Sequence, residues 1–391
     1  MNPSAKGWIK KLLEDVSKKE TYLQLSLIDF YNVLKTSGFI YGNNVSIVHN
    51  LIDNKDLTHE ELCKANLFLS FYYLHNWSGC KEGFIDNIIN FYNSINTYTS
   101  SFFEELLGEK KSSNLLEDMI DKRIQIDDNV ITKNFNYFIT NALLFVDVLA
   151  YKRYLVTNSI SETYLKKLES SIETIIFTVL DYKKVKTKYD KSLIKLFESS
   201  LRYQNKNELT YDDVIKNIES QLGKYYITDL VCMAFWSDKI ISKEEQVFLN
   251  QLGDDLNLEH QIIEQSVDDI NTFFTINKDK IALLSSKNMM QSFYNNSSKM
   301  VNKLINRNSK RLLKELKESK ELMVLISQST TRKLTDEEQK KVQNQLLDIF
   351  KSIPSLAIFI LPGGMLLLPL VIKFIPKLLP SSFDENRIDD E

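Results

Sequence analysis

Apolar side chains recur along most of this chain at spacings of three and four, the period of an amphipathic helix. Between Tyr22 and Leu34 they fall at Leu23, Leu25, Leu27, Phe30, Tyr31 and Leu34, and Ser37-Gly38 follows as a C-terminal stop. Thr58-His59-Glu60-Glu61 has the form of a capping box opening a helix through Leu67, Leu69, Phe71 and Leu74, which Gly79 closes. A further helix starts near Gly83 and runs through Ile85, Ile88, Ile89 and Tyr92. Long helices are predicted over Val130–Leu155, Ser161–Leu180 and Lys191–Tyr203, and an apolar one over Ile227–Trp236. With ten glycines in all and a single proline before Pro354, the predicted fold class is all-α: a multi-helix body followed by a proline-broken hydrophobic segment.

That segment breaks the pattern. No charged side chain occurs from Ser352 to Ile372, and a continuous helix over this run would be about 30 Å long, the thickness of a bilayer's hydrocarbon core. Pro354, Pro362 and Pro369 lie within it, and Pro376 and Pro380 follow directly after. Each interior proline removes an N–H, so the carbonyls of Ile358, Met365 and Ile372 would lose their ordinary helical partners. The spacing of seven from Pro362 to Pro369 to Pro376 stacks the kinks along one face, and Gly363-Gly364 allows close helix approach or unwinding. A bent membrane anchor and a discontinuous helix lining an ion path both fit; a pore would require self-association, since one chain supplies one such segment. A re-entrant hairpin folded at Gly363-Gly364 fits as well.

Leu334-Thr335-x-x-Glu338, Asp348-Ile349-Phe350-Lys351-Ser352-Ile353-Pro354, Pro362, Leu366-Leu367-Leu368-Pro369 and Lys373-x-x-Pro376-x-x-Leu379-Pro380-Ser381-Ser382-Phe383 together resemble the membrane segment of the LETM family. These are the leucine-zipper and EF-hand-containing transmembrane proteins of the mitochondrial inner membrane and their bacterial relatives. The resemblance implies a single-span protein of an energy-conserving membrane, tied to cation/proton homeostasis and ribosome association, with bacterial relatives associated with surface growth and biofilms. Where the family typically has a carboxylate between the two central prolines, this chain has Met365, so the span offers no buried ionisable group to an exchanger. The family's large soluble domain after the span is expected to be absent.

Tyr225 to Phe274 is similar to the tellurite-resistance TerB-like helical domain, with Asp238, Ile241 and Glu245 at the positions of its Asp-Gly-x-Ile-x-x-x-Glu turn and Lys239 in place of the glycine. Asp238, Glu244 and Glu245 could hold a divalent cation through oxygen ligands. Ser242 and Glu245 also form a capping box, which gives them a structural reason to be there, and Lys239 and Lys243 would sit close to any such ion.

Lys299 to Lys320 reads as one basic helix with an apolar stripe at Leu304, Ile305, Leu312, Leu313 and Leu316. Lys303, Arg307, Lys310, Arg311, Lys314 and Lys317 on it are candidate contacts to anionic lipid headgroups or to ribosomal RNA, and a solvated helix joining body to membrane is the plain alternative. Four segments follow: an N-terminal all-α domain (1–215), a TerB-like domain (216–276), basic linker helices (277–333) and a LETM-like membrane segment with a short acidic tail (334–391).

Composition narrows the function classes. The chain is 43% hydrophobic and 26% charged, with a net charge of -3, so nothing global argues for nucleic acid and no DNA partner is expected. Cys63, Cys80 and Cys232 are too scattered for a disulfide framework or zinc cluster, and the four histidines form no ligand spacing. No catalytic triad or phosphate loop has plausible context, so the chain reads as a non-enzyme without a cofactor, a divalent cation apart. Met1 to Glu20 has no apolar core of signal-peptide length. Positive charge before the apolar run and the acidic end Asp384–Glu391 predict a cytoplasmic body, and the resemblance implies a bacterial inner membrane. The expected function is a membrane-anchored helical adaptor with the bilayer and a cytoplasmic protein as partners. An oligomeric cation/proton exchanger and a ribosome-binding membrane protein are the alternatives.

Overall fold

The computed structural model describes residues 3, 5–52, 57–95, 112–124, 130–184, 186, 209–235, 241–277, 298, 301–302, 304–306, 308–353, 356 and 368–378. Among them the secondary structure is entirely helical. The first helices are α1 (Trp8–Val16), α2 (Leu27–Ser37), α3 (His59–Ser78), α4 (Phe84–Ile95), α5 (Ser112–Ile124), α6 (Val130–Thr157) and α7 (Glu162–Tyr182). The predicted helix over Lys191–Tyr203 lies outside the described residues.

The local signals hold where they can be read. Thr58 and Glu61 form the capping box of α3, and Gly79 ends that helix in the left-handed region. Gly38 ends α2 the same way: its N–H bonds to the Lys35 carbonyl at 2.9 Å, and the Phe39 N–H reaches back to Leu34 at 3.0 Å. The start of α2 differs from the predicted stretch. Ser26 accepts the Asp29 N–H and begins the helix at Leu27, while Glu20–Tyr22 forms a separate short turn. No nearby side chain caps α1; the buried Glu117 of α5 does so, accepting the Gly7 N–H at 2.9 Å and the Ile9 N–H at 3.1 Å.

Aromatic side chains of α3 and α4 pack into the core. Phe68, Phe71, Phe91 and Tyr92 are buried, and Phe71 meets the Tyr151 ring of α6 edge-on at 5.0 Å. Through Leu144–Tyr151, α6 is buried on every side, and it packs against α3, α4 and α7. Asp147 lies inside this segment at 0% exposure, held by Arg123 of α5 through two bonds of 2.8 and 3.0 Å.

Near the end of α3, the buried His75 sets Nε2 3.0 Å from the Glu82 carbonyl. Burial, opposed by that carbonyl, holds its ring below the ordinary histidine range. As pH falls through about 6.5, the unfolded chain therefore takes up the proton first. The neutral ring's contribution is complete above that pH, declines below it and levels off once pH passes the folded-state value. The melting temperature of His75→Gln is expected to fall less between about pH 7 and pH 5 than that of the native chain.

A second group of helices comprises α8 (Tyr211–Asn217), α9 (Gln221–Phe235), α10 (Lys243–Asp255) and α11 (His260–Ile276). The hub is α9, the predicted apolar helix, whose residues from Tyr225 to Phe235 are all buried against α2, α7, α10 and α11. Ser242 and Glu245 form the predicted capping box at α10. Contacts of α9 with α2 and α7 cross the 215/216 boundary drawn from the sequence.

The C-terminal unit contains α12 (Ser309–Glu318), α13 (Lys320–Thr331), α14 (Asp336–Ser352) and α15 (Leu368–Phe374), followed by a 3-10 turn at Ile375–Leu378. Helices α12, α13 and α14 pack on one another, and the turn packs on α13. The single basic helix predicted over 299–320 is a correction: the chain leaves helical geometry at Asn308 and again at Ser319. Both side chains compete for backbone groups, Asn308 Nδ2 donating to the Leu304 carbonyl at 2.7 Å and Ser319 Oγ accepting the Leu322 N–H.

Thr335 and Glu338 cap α14 as predicted. That helix stops at Ser352, and Ile353 is extended because Pro354 excludes the helical region for the residue before it. No described helix is long and apolar enough to cross a membrane. The described parts of the apolar run meet protein: Ile353, Leu356, Leu368, Leu370, Val371 and Ile375 are buried, while Lys373 is exposed.

Candidate functional site

The face of α12 is built by its own periodicity. At about 100° per residue, Leu312 and Leu316 fall on one side and are fully buried. Lys310, Lys314 and Lys317 fall within about 60° of one another on the opposite side and are exposed. None of the three has an ion-pair partner among the described residues. Arg311 differs from them: its Nη2 donates to the Ser352 carbonyl at 2.7 Å, occupying one of the unpaired acceptors at the end of α14. Sequence reasoning grouped Arg311 with the free cations; the structure makes it the strut that orients the lysine row against α14.

Further polar contacts lock α13 onto α14. Ser319 Oγ donates to Gln345 Oε1 at 2.9 Å, and Lys341 pairs with Glu321. Arg332 grips Glu338 with two bonds of 2.7 and 2.8 Å. The Arg332 guanidinium, ahead of the Thr335 N–H, holds the Glu338 carboxyl down at about 2. The lysine row thus stands on a braced helical unit.

Of the other residues singled out, Lys303, Arg307, Pro354, Pro362, Gly363, Gly364 and Pro380 lie outside the described residues. Pro369 falls in α15 and Pro376 in the turn that follows it. Asp238 also lies outside. Glu244 pairs with Lys184 at 2.6 Å, and Glu245 accepts the Ser242 N–H at 2.8 Å, so both carboxylates have partners within the fold. No group of three or more His, Cys, Asp or Glu among the described residues is arranged to hold a metal ion.

A buried charge network escaped the sequence reading. Asp229, at 0% exposure in α9, accepts the Tyr31 hydroxyl at 2.7 Å and lies 3.4 Å from the Lys35 ammonium. Lys35 also meets Asp269 of α11 at 2.5 Å. Burial pushes the Asp229 carboxyl up, with Lys35 and Tyr31 opposing it. The available signal was one carboxylate inside an otherwise apolar helix, which low dielectric permits only with a partner. A cleft of about 630 Å³ opens beside Lys35 and Asp269.

Residues 334–391, which include α14, α15 and the turn after it, match the family model described as "LETM1-like, RBD". No curated protein and no solved structure matches the chain. The LETM resemblance therefore rests on this C-terminal stretch, which is LETM1-like.

Proposed function

We propose that this protein is a helical docking protein that engages the ribosome through its C-terminal unit, with the lysine row of α12 reading the phosphate backbone of ribosomal RNA. One observation carries the reading: three exposed lysines without acidic partners among the described residues form a single row on a helix packed against α14, and α14 lies within the match to a domain whose family is linked to ribosome binding. Phosphate contact by such a row is electrostatic and independent of base sequence, which suits a docking surface. The uncharged run from Ser352 to Ile372 supports placing this docking at a bilayer, with the helical body on the cytoplasmic side. Met365 in the position of the family's carboxylate leaves the exchanger reading without a proton-carrying group in that run.

The test is co-sedimentation with ribosomes over a series of salt concentrations. The native chain is expected to pellet with ribosomes at low salt and to dissociate as salt rises. Replacing Lys310, Lys314 and Lys317 together by Gln should weaken association and reduce the log–log salt slope by about 2–3, at about 0.7–0.9 for each phosphate that is no longer neutralised. The exposed row should tolerate this change with little effect on melting temperature. An unchanged slope in the triple variant would refute the docking surface, and no pelleting at low salt would refute the ribosome as partner.

A further inference from the structure

A second surface lies far from the C-terminal unit in sequence. Lys152 of α6 is half-buried, and its ammonium stands over the Trp77 ring at 5.3 Å with no carboxylate in ion-pair range among the described residues. Burial alone holds its ammonium below the ordinary lysine range, with no anion opposing that effect. A desolvated cation without a counter-charge is costly, and the fold retains it beside an unusually exposed aromatic side chain, Trp77 at 48%.

Lys152 and Arg153 line a pocket of about 270 Å³ that reaches the start of α9, at Gly223 and at Ser220 just before the helix. The rest of the wall includes Leu149, Leu168 and the Tyr164 ring, over which the Arg153 guanidinium sits at 5.5 Å. Among the described residues Arg153 has one carboxylate in ion-pair range, Glu219 at 4.0 Å, and both side chains are exposed, so the pair is weak. Two cationic residues, one carboxylate and the start of α9 thus share a lining with apolar and aromatic side chains, a composition that suits an amphipathic anion.

We propose that this pocket binds a small organic anion, its carboxylate or phosphate head held by Lys152 and Arg153 and its apolar body seated against Tyr164, Leu149 and Leu168. The site is independent of the docking surface on α12. The sequence does not reveal this pocket, because its residues come from α6, α7, the end of α8 and the start of α9.

Isothermal titration of the full chain tests it with four probes: phenyl phosphate, 3-phenylpropionate, inorganic phosphate and benzyl alcohol. Phenyl phosphate or 3-phenylpropionate is expected to bind saturably, and the tighter of the two identifies the head group. Inorganic phosphate should bind at least about 10-fold more weakly than phenyl phosphate because it leaves the floor empty. Lys152→Met keeps the apolar stem and removes the buried charge, so it should fold with an unchanged or higher melting temperature while binding the aromatic anions at least about 10-fold more weakly. Glu219→Gln should tighten them, since it frees Arg153. The proposal falls if neither aromatic anion saturates, if benzyl alcohol binds as well as they do, or if Lys152→Met binds them like the native chain.

Discussion

Arg123→Ala is expected to destabilise the helical body by about 3–5 kcal/mol, the range for removing one member of a buried ion pair. Arg123 and Asp147 are 3% and 0% exposed, and the guanidinium supplies two bonds to a carboxylate that, among the described residues, otherwise has only the Tyr92 hydroxyl at 3.4 Å. Removing the cation leaves a carboxylate in the low-dielectric interior between α3, α4 and α6, and that uncompensated charge accounts for most of the loss. Urea unfolding measures it as a lower midpoint at an unchanged slope. Burial already pushes the Asp147 carboxyl up, with Arg123 opposing it. Without Arg123 the folded-state value rises further above the unfolded one. A carboxyl with a raised folded-state value gains relative stability as pH falls, so the deficit of Arg123→Ala should shrink on acidification. The double variant Arg123→Met/Asp147→Leu should recover most of the loss, because it removes both charges and keeps the volume. A deficit as large in the double variant as in the single one would show that packing, rather than the stranded charge, sets the cost.

Gly38→Ala is expected to cost about 2–5 kcal/mol, from about 1–2 for an L-residue in the left-handed region and about 1–3 for overpacking. Gly38 has φ +83°, and a Cβ there would stand 1.9 Å from the Asn43 carbonyl oxygen and 2.7 Å from Phe273 Cζ. The carbonyl belongs to backbone hydrogen-bonded to Gly38 itself, since the Asn43 N–H donates to the Gly38 carbonyl at 2.9 Å, so it cannot move without breaking the turn. Gly79→Ala is the control. Its φ is +67°, but a Cβ there meets nothing within 4 Å, so only the conformational part applies. Thermal unfolding of the two variants separates the terms. Equal losses would mean that the predicted contact with Asn43 carries no cost.

The features read correctly from sequence are those whose partners lie within one turn. The partners in the capping boxes Thr58/Glu61, Ser242/Glu245 and Thr335/Glu338 are three positions apart, and the stops at Gly38 and Gly79 depend on the glycine's own backbone freedom. The stop before Pro354 is equally local. The continuous helix expected over 299–320 breaks for a local reason: Asn308 and Ser319 each compete for backbone groups that the helix needs. In the candidate site, the lysine row of α12 follows from spacing alone, whereas the role of Arg311 depends on a carbonyl 41 residues away.

Helical class, the places where most helices start and stop, and which stripe of each helix is apolar were settled by the order of residues, because steric limits and backbone hydrogen bonding act over one to four positions. The pairing of charges was decided only in three dimensions. Glu117 caps α1, Arg123 meets Asp147, Lys35 meets Asp229 and Asp269, and Lys152 stands over Trp77 with no anion in ion-pair range among the described residues. The free energy of a buried charge is set by what stands within a few ångströms of it, and packing of helices distant in sequence determines those neighbours.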